Sequence, residues 1–143
     1  MNTSARNVFP GKVVAVRSGE VMDEIELAVE GGQTIIAANT KASTQKLGLK
    51  AGVEAMALIK APFVLLLTDA EDYLLSTRNQ FAGTVRSVTT GPVNAEVQVD
   101  IPGGLGITAV VTTESVKKLG LAPGKAVTAI VKAIHVILAV PKK

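Results

Sequence analysis

Ser4-Ala5-Arg6-Asn7 returns as Ser76-Thr77-Arg78-Asn79. The offset, from residue 4 to residue 76, is 72, about half of the 143-residue chain. The residues that follow each copy repeat at the same offset without a gap. Gly19, Val21 and Glu24 face Gly91, Val93 and Glu96, and Gly31-Gly32 faces Gly103-Gly104. Leu47-Gly48-Leu49 faces Leu119-Gly120-Leu121, and Lys60-Ala61 faces Lys132-Ala133. Comparing residues 4–68 with 76–140 gives 26 identities in 65 pairs, or 40%. An ungapped repeat of this length predicts two copies of one small unit, over residues 1–71 and 72–143.

Within each unit the hydrophobic pattern is that of strands. Val8–Val16 is rich in valine and broken at Gly11-Lys12. Val21–Val29 alternates, with Ile25, Leu27 and Val29 set against Glu24 and Glu26. Glu30-Gly31-Gly32-Gln33 reads as a hairpin turn, and Thr34–Asn39 as a third strand. Thr40-Lys41-Ala42-Ser43 opens a short helix that Gly48 ends. Two further apolar segments, Glu54–Lys60 and Phe63–Thr68, are separated at Pro62, which removes a backbone donor. The second unit repeats the plan: Phe81–Val88, a turn at Thr89–Pro92, Val93–Ile101, a helix from Thr112 to Leu119, then Ala126–Val131 and Val136–Val140 closing the unit. The expected fold is mainly β: two tandem five-stranded OB-like antiparallel barrels, each with one short helix. Tyr73–Ser76 joins them without a Pro/Ser-rich linker, so the barrels are expected to pack tightly.

Composition narrows the function classes. Hydrophobic residues are 48% of the chain but aromatics only 3%, so the core is aliphatic. Small units with surplus aliphatic surface hide it at subunit interfaces, and an oligomer is expected. The net charge of +3 suits an anionic ligand. Its positive charges are scattered, without the basic cluster or stacking aromatics of a nucleic-acid groove. There is no cysteine, hence no disulfide or thiolate metal site. The longest apolar run, Ala61–Leu67, is too short to span a bilayer, and the N-terminus lacks an apolar signal core. No nucleic-acid or membrane partner is expected, and the cytoplasm is the default location.

The polar residues kept in both copies are Ser-x-Arg-Asn, Thr-x-x-Ser and a strand-end Lys-Ala, beside a Gly-x-Val turn. All supply hydrogen-bond donors, and the Thr-x-x-Ser lies where a helix leaves amides free. No nucleophile with a base and no carboxylate pair recurs, so no catalytic residue, enzyme activity or cofactor is expected. A donor-only set suits an oxyanion. Plainer roles are open to the same residues: Asn7 and Asn79 can hold turns, Thr40 and Thr112 can cap helices, and Lys60 and Lys132 can be solvated strand ends. Arg6 and Arg78 can pair with Glu24 or Glu96. His135, which aligns with Phe63, reads as a packing residue.

Ser-Ala-Arg-Asn, Gly91-Pro92-Val93-Asn94-Ala95-Glu96-Val97, the Thr-x-x-Ser helix start and Lys-Ala before an aliphatic strand resemble the molbindin family in its tandem, di-Mop form. The resemblance implies intracellular binding, storage and homeostasis of molybdate, with tungstate accepted, in the cytoplasm. The metal is held as its oxyanion, not ligated directly. It also implies a homo-oligomer, a trimeric ring with sites between modules. One kind of site would use Ser4, Arg6, Asn7, Thr40, Ser43, Lys60 and Ala61, and in the second copy Ser76, Arg78, Asn79, Thr112, Ser115, Lys132 and Ala133. An axial site would use Gly91, Val93, Asn94 and Ala95. The first copy reads Gly19-Glu20-Val21-Met22-Asp23 there, and its added carboxylates are expected to oppose an anion. The alternative readings are an OB-fold nucleic-acid-binding protein and a regulatory module.

Overall fold

The computed structural model describes residues 1–142; residue 143, the end of the second repeat unit, lies outside the described residues. The first repeat forms β1 (Asn7–Ser18), β2 (Met22–Val29), β3 (Thr34–Thr40), α1 (Lys41–Leu47), β4 (Glu54–Ile59) and β5 (Leu65–Leu67). The second forms β6 (Asn79–Thr90), β7 (Asn94–Ile101), β8 (Leu105–Thr112), α2 (Thr113–Leu119), β9 (Ala126–Val131) and β10 (Ile137–Ala139). β6 runs on through Thr90, so the turn expected at Thr89–Pro92 is confined to residues 91–93.

Alternation decides which face of each strand is buried. Along β2, Ile25 and Leu27 are fully buried while Glu24 and Glu26 stay partly exposed. Each such aliphatic side chain stabilises the fold by about 1.5–3 kcal/mol. β1 and β6 each carry a bulge, between Val13 and Ala15 and between Val85 and Ser87, which bends the long strand and curls the sheet. Where β1 crosses β2, Gly11 lies so close to Ala28 that a Cβ would sit 2.4 Å from its carbonyl oxygen. Gly83 is closer still to Asp100, 2.1 Å by the same measure, so the glycine break read in the first strand is the point where the sheet folds over.

The two sheets have the orders β10-β4-β1-β2-β3 and β5-β9-β6-β7-β8. This corrects the expectation that Phe63–Thr68 and Val136–Val140 close their own units. Leu65–Leu67 pairs with Thr128–Ile130 of the second repeat, and Ile137–Ala139 pairs with Met56–Leu58 of the first. The cause lies after β4 and β9, where a 3-10 turn (Ala61–Phe63, Ala133–His135) replaces the tight hairpin that self-pairing needs. Each turn packs against the third strand of the other repeat and carries the chain across. Two five-stranded antiparallel curled sheets therefore share their closing strands, and one continuous hydrophobic cluster runs through both.

Candidate functional site

The start of β1 and the end of β4 lie side by side, with Asn7 opposite Ile59. This register brings the Ser-x-Arg segment next to the Lys-Ala segment. Ser4, Arg6, Lys60 and Ala61 line one cavity of about 350 Å³, together with Val110 and Ile137 of the second repeat. Ser76, Arg78, Lys132 and Ala133 line its counterpart of about 220 Å³, with Glu24 and Ile36 of the first repeat. Eight of the residues singled out in the sequence are thus assembled into two cavities, each with walls from both repeats.

Asn7 and Asn79 share these segments but turn inward, 2% and 1% exposed. Asn7 Oδ1 accepts from the Thr108 amide at 2.8 Å, and its Nδ2 donates to the Thr108 carbonyl at 2.8 Å. Asn79 treats Ile36 identically, at 2.7 Å in both directions. A carboxamide has the donor and acceptor of a peptide group, so each asparagine pairs with the other repeat as a strand residue would. Their side chains hold the two units together, rather than the turns suggested by sequence.

The arginines also reach across. Arg6 makes a forked contact with Glu96, its second nitrogen donating to Oε1 at 2.8 Å. This hydrogen bond raises the Arg6 pKa and holds the Glu96 carboxyl below its ordinary range. Arg78 donates to Glu24 at 2.6 Å and to Glu26 at 3.3 Å. The pairing with Glu24 and Glu96 anticipated from sequence occurs, always between repeats.

Thr40 and Ser43 are helix caps: Thr40 Oγ1 accepts from the Ser43 amide at 3.1 Å and donates to Ser43 Oγ at 2.9 Å. Thr112 and Ser115 repeat this at 3.1 and 2.8 Å. None of the four lines the two arginine cavities. Thr112 instead faces a separate hollow of about 400 Å³ with Pro92, Val93 and Lys117, beside the Gly91–Ala95 turn. Each cap follows the strand that pairs with the arginine's carboxylate partner. Arg78 binds Glu24, Glu24 opposes Ala38, and Thr40 is two residues further along that strand, about 7 Å.

At the Gly91–Ala95 turn, Val93 is 71% exposed while Ala95 is buried, and the Gly91 amide already donates to the Asn94 carbonyl at 2.9 Å. In the first-copy turn the Asp23 carboxylate is held internally. Asp23 is only 2% exposed, accepts from the Gly19 amide at 3.2 Å, and lies 4.0 Å from Lys41 Nζ. Its carboxylate is directed into its own turn, where it shares the Gly19 amide with the Met22 carbonyl and faces Lys41. Phe63 and His135 stack at 4.3 Å, with Lys60 over the Phe63 ring at 5.8 Å. Alignment in the repeat thus became contact in space.

Among the residues that sequence reading did not place at the site are Glu26, Ile36, Val110 and Ile137. Only the exchange of closing strands and the crossing of side chains between repeats bring them there.

Residues 3–66 and 75–138 each match the TOBE domain. The chain is 45% identical to the molybdenum-pterin-binding protein MopA of Rhodobacter capsulatus, over 99% of this chain and 53% of that protein. It is 45% identical to the molybdenum transport protein ModE of Azotobacter vinelandii, over 98% of this chain and 52% of that protein. The chain therefore spans about half the length of these relatives. Among solved structures, the cytoplasmic molybdate-binding protein ModG, crystallised with molybdate bound, superposes with a TM-score of 0.95 at 48% identity, covering 99% of this chain and 100% of that one. The chain belongs to the TOBE domain family, in the tandem, di-Mop form of the molbindins.

Proposed function

We propose that this chain binds molybdate, accepts tungstate, and serves in cytoplasmic storage and homeostasis of the oxyanion, without catalysing a reaction. The observation that carries this reading is the pair of cavities in which Ser, Arg and Lys donors converge beside Ala61 and Ala133. Molybdate is a tetrahedral dianion with acceptor oxygens only, and such a donor set satisfies it. Hydrogen phosphate brings a proton that needs an acceptor; with Glu96 and Glu24 engaged by Arg6 and Arg78, leaving that proton unpaired costs about 1–3 kcal/mol. Sulfate is fully ionised, so its rejection rests on cavity size.

In this reading the Thr40/Ser43 and Thr112/Ser115 caps complete the sites when chains assemble, and Gly91–Ala95 lines an axial site. The assembly is a trimer, and exposed Val21, Val93, Leu65, Ile134 and Ile137 supply apolar surface for it. Phe9 and Phe81 are buried in the core and Phe63 is stacked on His135, which argues against a base-stacking groove.

The test is elemental analysis of the purified protein for Mo and W, followed by calorimetry with molybdate. Arg78→Ala is expected to weaken binding about tenfold or more, the loss of charge-assisted hydrogen bonds worth about 1.5–3 kcal/mol. Equal affinity in mutant and parent would remove Arg78 from the site. Light scattering that shows only monomer at micromolar concentration would sink the trimer.

A further inference from the structure

The two arginine cavities are not electrostatically alike, and the difference lies in residues the repeat does not keep. At the Arg6 cavity, one guanidinium meets one carboxylate, Glu96. At the Arg78 cavity two carboxylates, Glu24 and Glu26, both hold Arg78. The counterpart of Glu26 is Gln98, so Arg78 meets one carboxylate more than Arg6 does. The same two carboxylate oxygens also accept from a second arginine. Arg17 donates to Glu24 Oε1 at 3.3 Å and to Glu26 Oε1 at 3.1 Å. Its counterpart in the second repeat is Thr89.

We propose that Arg17 is a positioning residue of the Ser76–Arg78–Lys132 site, holding Glu24 and Glu26 so that Arg78 keeps donors for the anion. This rests on the oxyanion reading of that site. The charge count carries it. Arg6 with Glu96 sums to zero. Arg78 with Glu24 and Glu26 sums to minus one, and Arg17 returns it to zero. The pair Arg17/Glu26 and the pair Thr89/Gln98 are two neutral solutions at the same place in the two repeats. Without Arg17, both carboxylates fall to Arg78 alone, and Glu24 stands on the cavity wall where a dianion must enter. Arg17 does not line the cavity, so it acts through the glutamates and not by touching the ligand. All four side chains keep solvent contact, with Arg17 and Arg78 each 53% exposed, so the effect is modest and screened by salt.

The test uses the full chain, crystallised and soaked at low ionic strength in sub-saturating molybdate. Anomalous scattering then gives the ratio of Mo occupancy in the Arg78 cavity to that in the Arg6 cavity, which serves as internal reference. Arg17→Thr is expected to lower the ratio about two- to fivefold, the size of one exposed ion-pair interaction. Arg17→Lys should retain most of it. Arg17→Thr with Glu26→Gln, which copies the Thr89/Gln98 pair, should restore it, and Glu26→Gln alone should raise it above the parent. Glu26→Gln keeps the test open should Arg17→Thr fail to fold. An unchanged ratio in Arg17→Thr, or a drop that Glu26→Gln does not reverse, overturns the role of Arg17 while leaving the oxyanion reading standing. Mo in neither cavity of the parent overturns the oxyanion reading and this inference with it.

Discussion

Asn79 shows at residue scale what a repeated polar residue can conceal. Its carboxamide closes two hydrogen bonds of 2.7 Å on the Ile36 peptide, in a position that water does not reach. Removing it leaves a buried amide and carbonyl without partners. We expect Asn79→Ala to cost about 1–3 kcal/mol in urea unfolding, with Asn7→Ala close behind. No loss of stability would return the asparagine to a ligand role. Glu96 makes a second residue-scale prediction. Arg6, chiefly through its hydrogen bond, lowers the Glu96 pKa in the folded protein. The folded state therefore releases that proton more readily than the unfolded chain. The resulting stabilisation is complete above the ordinary Glu value of about 4.3 and is lost as pH falls through the lowered one. The stability gap between parent and Glu96→Gln should thus narrow with acidification across that window. A gap that stays constant through the same acid titration would refute the linkage.

Elements were legible to the extent that their cause is local. Period-two alternation located β2 and β7, and Thr40 and Gly48 bracketed α1 as a cap and a stop. Local pattern does not record a strand's partner. Leu65–Leu67 and Ile137–Ala139 are short aliphatic segments that fit either sheet equally well, and the 3-10 turn before each decides between them. The site was legible by the same measure. Ser, Arg and Lys were found because the chain repeats them, whereas Ile36 and Val110 reach the cavities only through inter-repeat packing. The hairpin tips give an element-scale prediction. Gly31 and Gly103 touch backbone to backbone, and a Cβ on Gly103 would stand 2.3 Å from the Gly31 carbonyl oxygen. Gly104 has nearly the same φ, 95° against 96°, but nothing within 4 Å of its added Cβ. Both alanine substitutions incur left-handed strain of about 1–2 kcal/mol. Only Gly103→Ala adds a clash with backbone that must move. It should melt several degrees below Gly104→Ala, and equal melting temperatures would show that the tips separate freely.

At the scale of the molecule, exchange of closing strands makes each repeat incomplete without the other. A fragment of residues 1–71 would leave the outer edge of β4 unpaired at Met56–Leu58 and would carry Leu65–Leu67 with no β9 to join. It would also expose the Ile36 peptide that Asn79 covers, and leave Asn7 without Thr108. An aliphatic strand edge of this kind templates pairing with another chain. A second copy of the fragment offers the needed partner, because its own Leu65–Leu67 aligns with Ile137–Ala139 and its Ile36 aligns with Thr108. We therefore expect the fragment to fold only as a symmetric pair that rebuilds the reciprocal strand exchange of the full chain. Sedimentation should show dimers or multiples of dimers, with native-like sheet content that disappears on dilution. A folded monomer of residues 1–71, with Leu65–Leu67 hydrogen-bonded to its own sheet, would show instead that the units close independently and that the exchange is a product of tandem linkage alone.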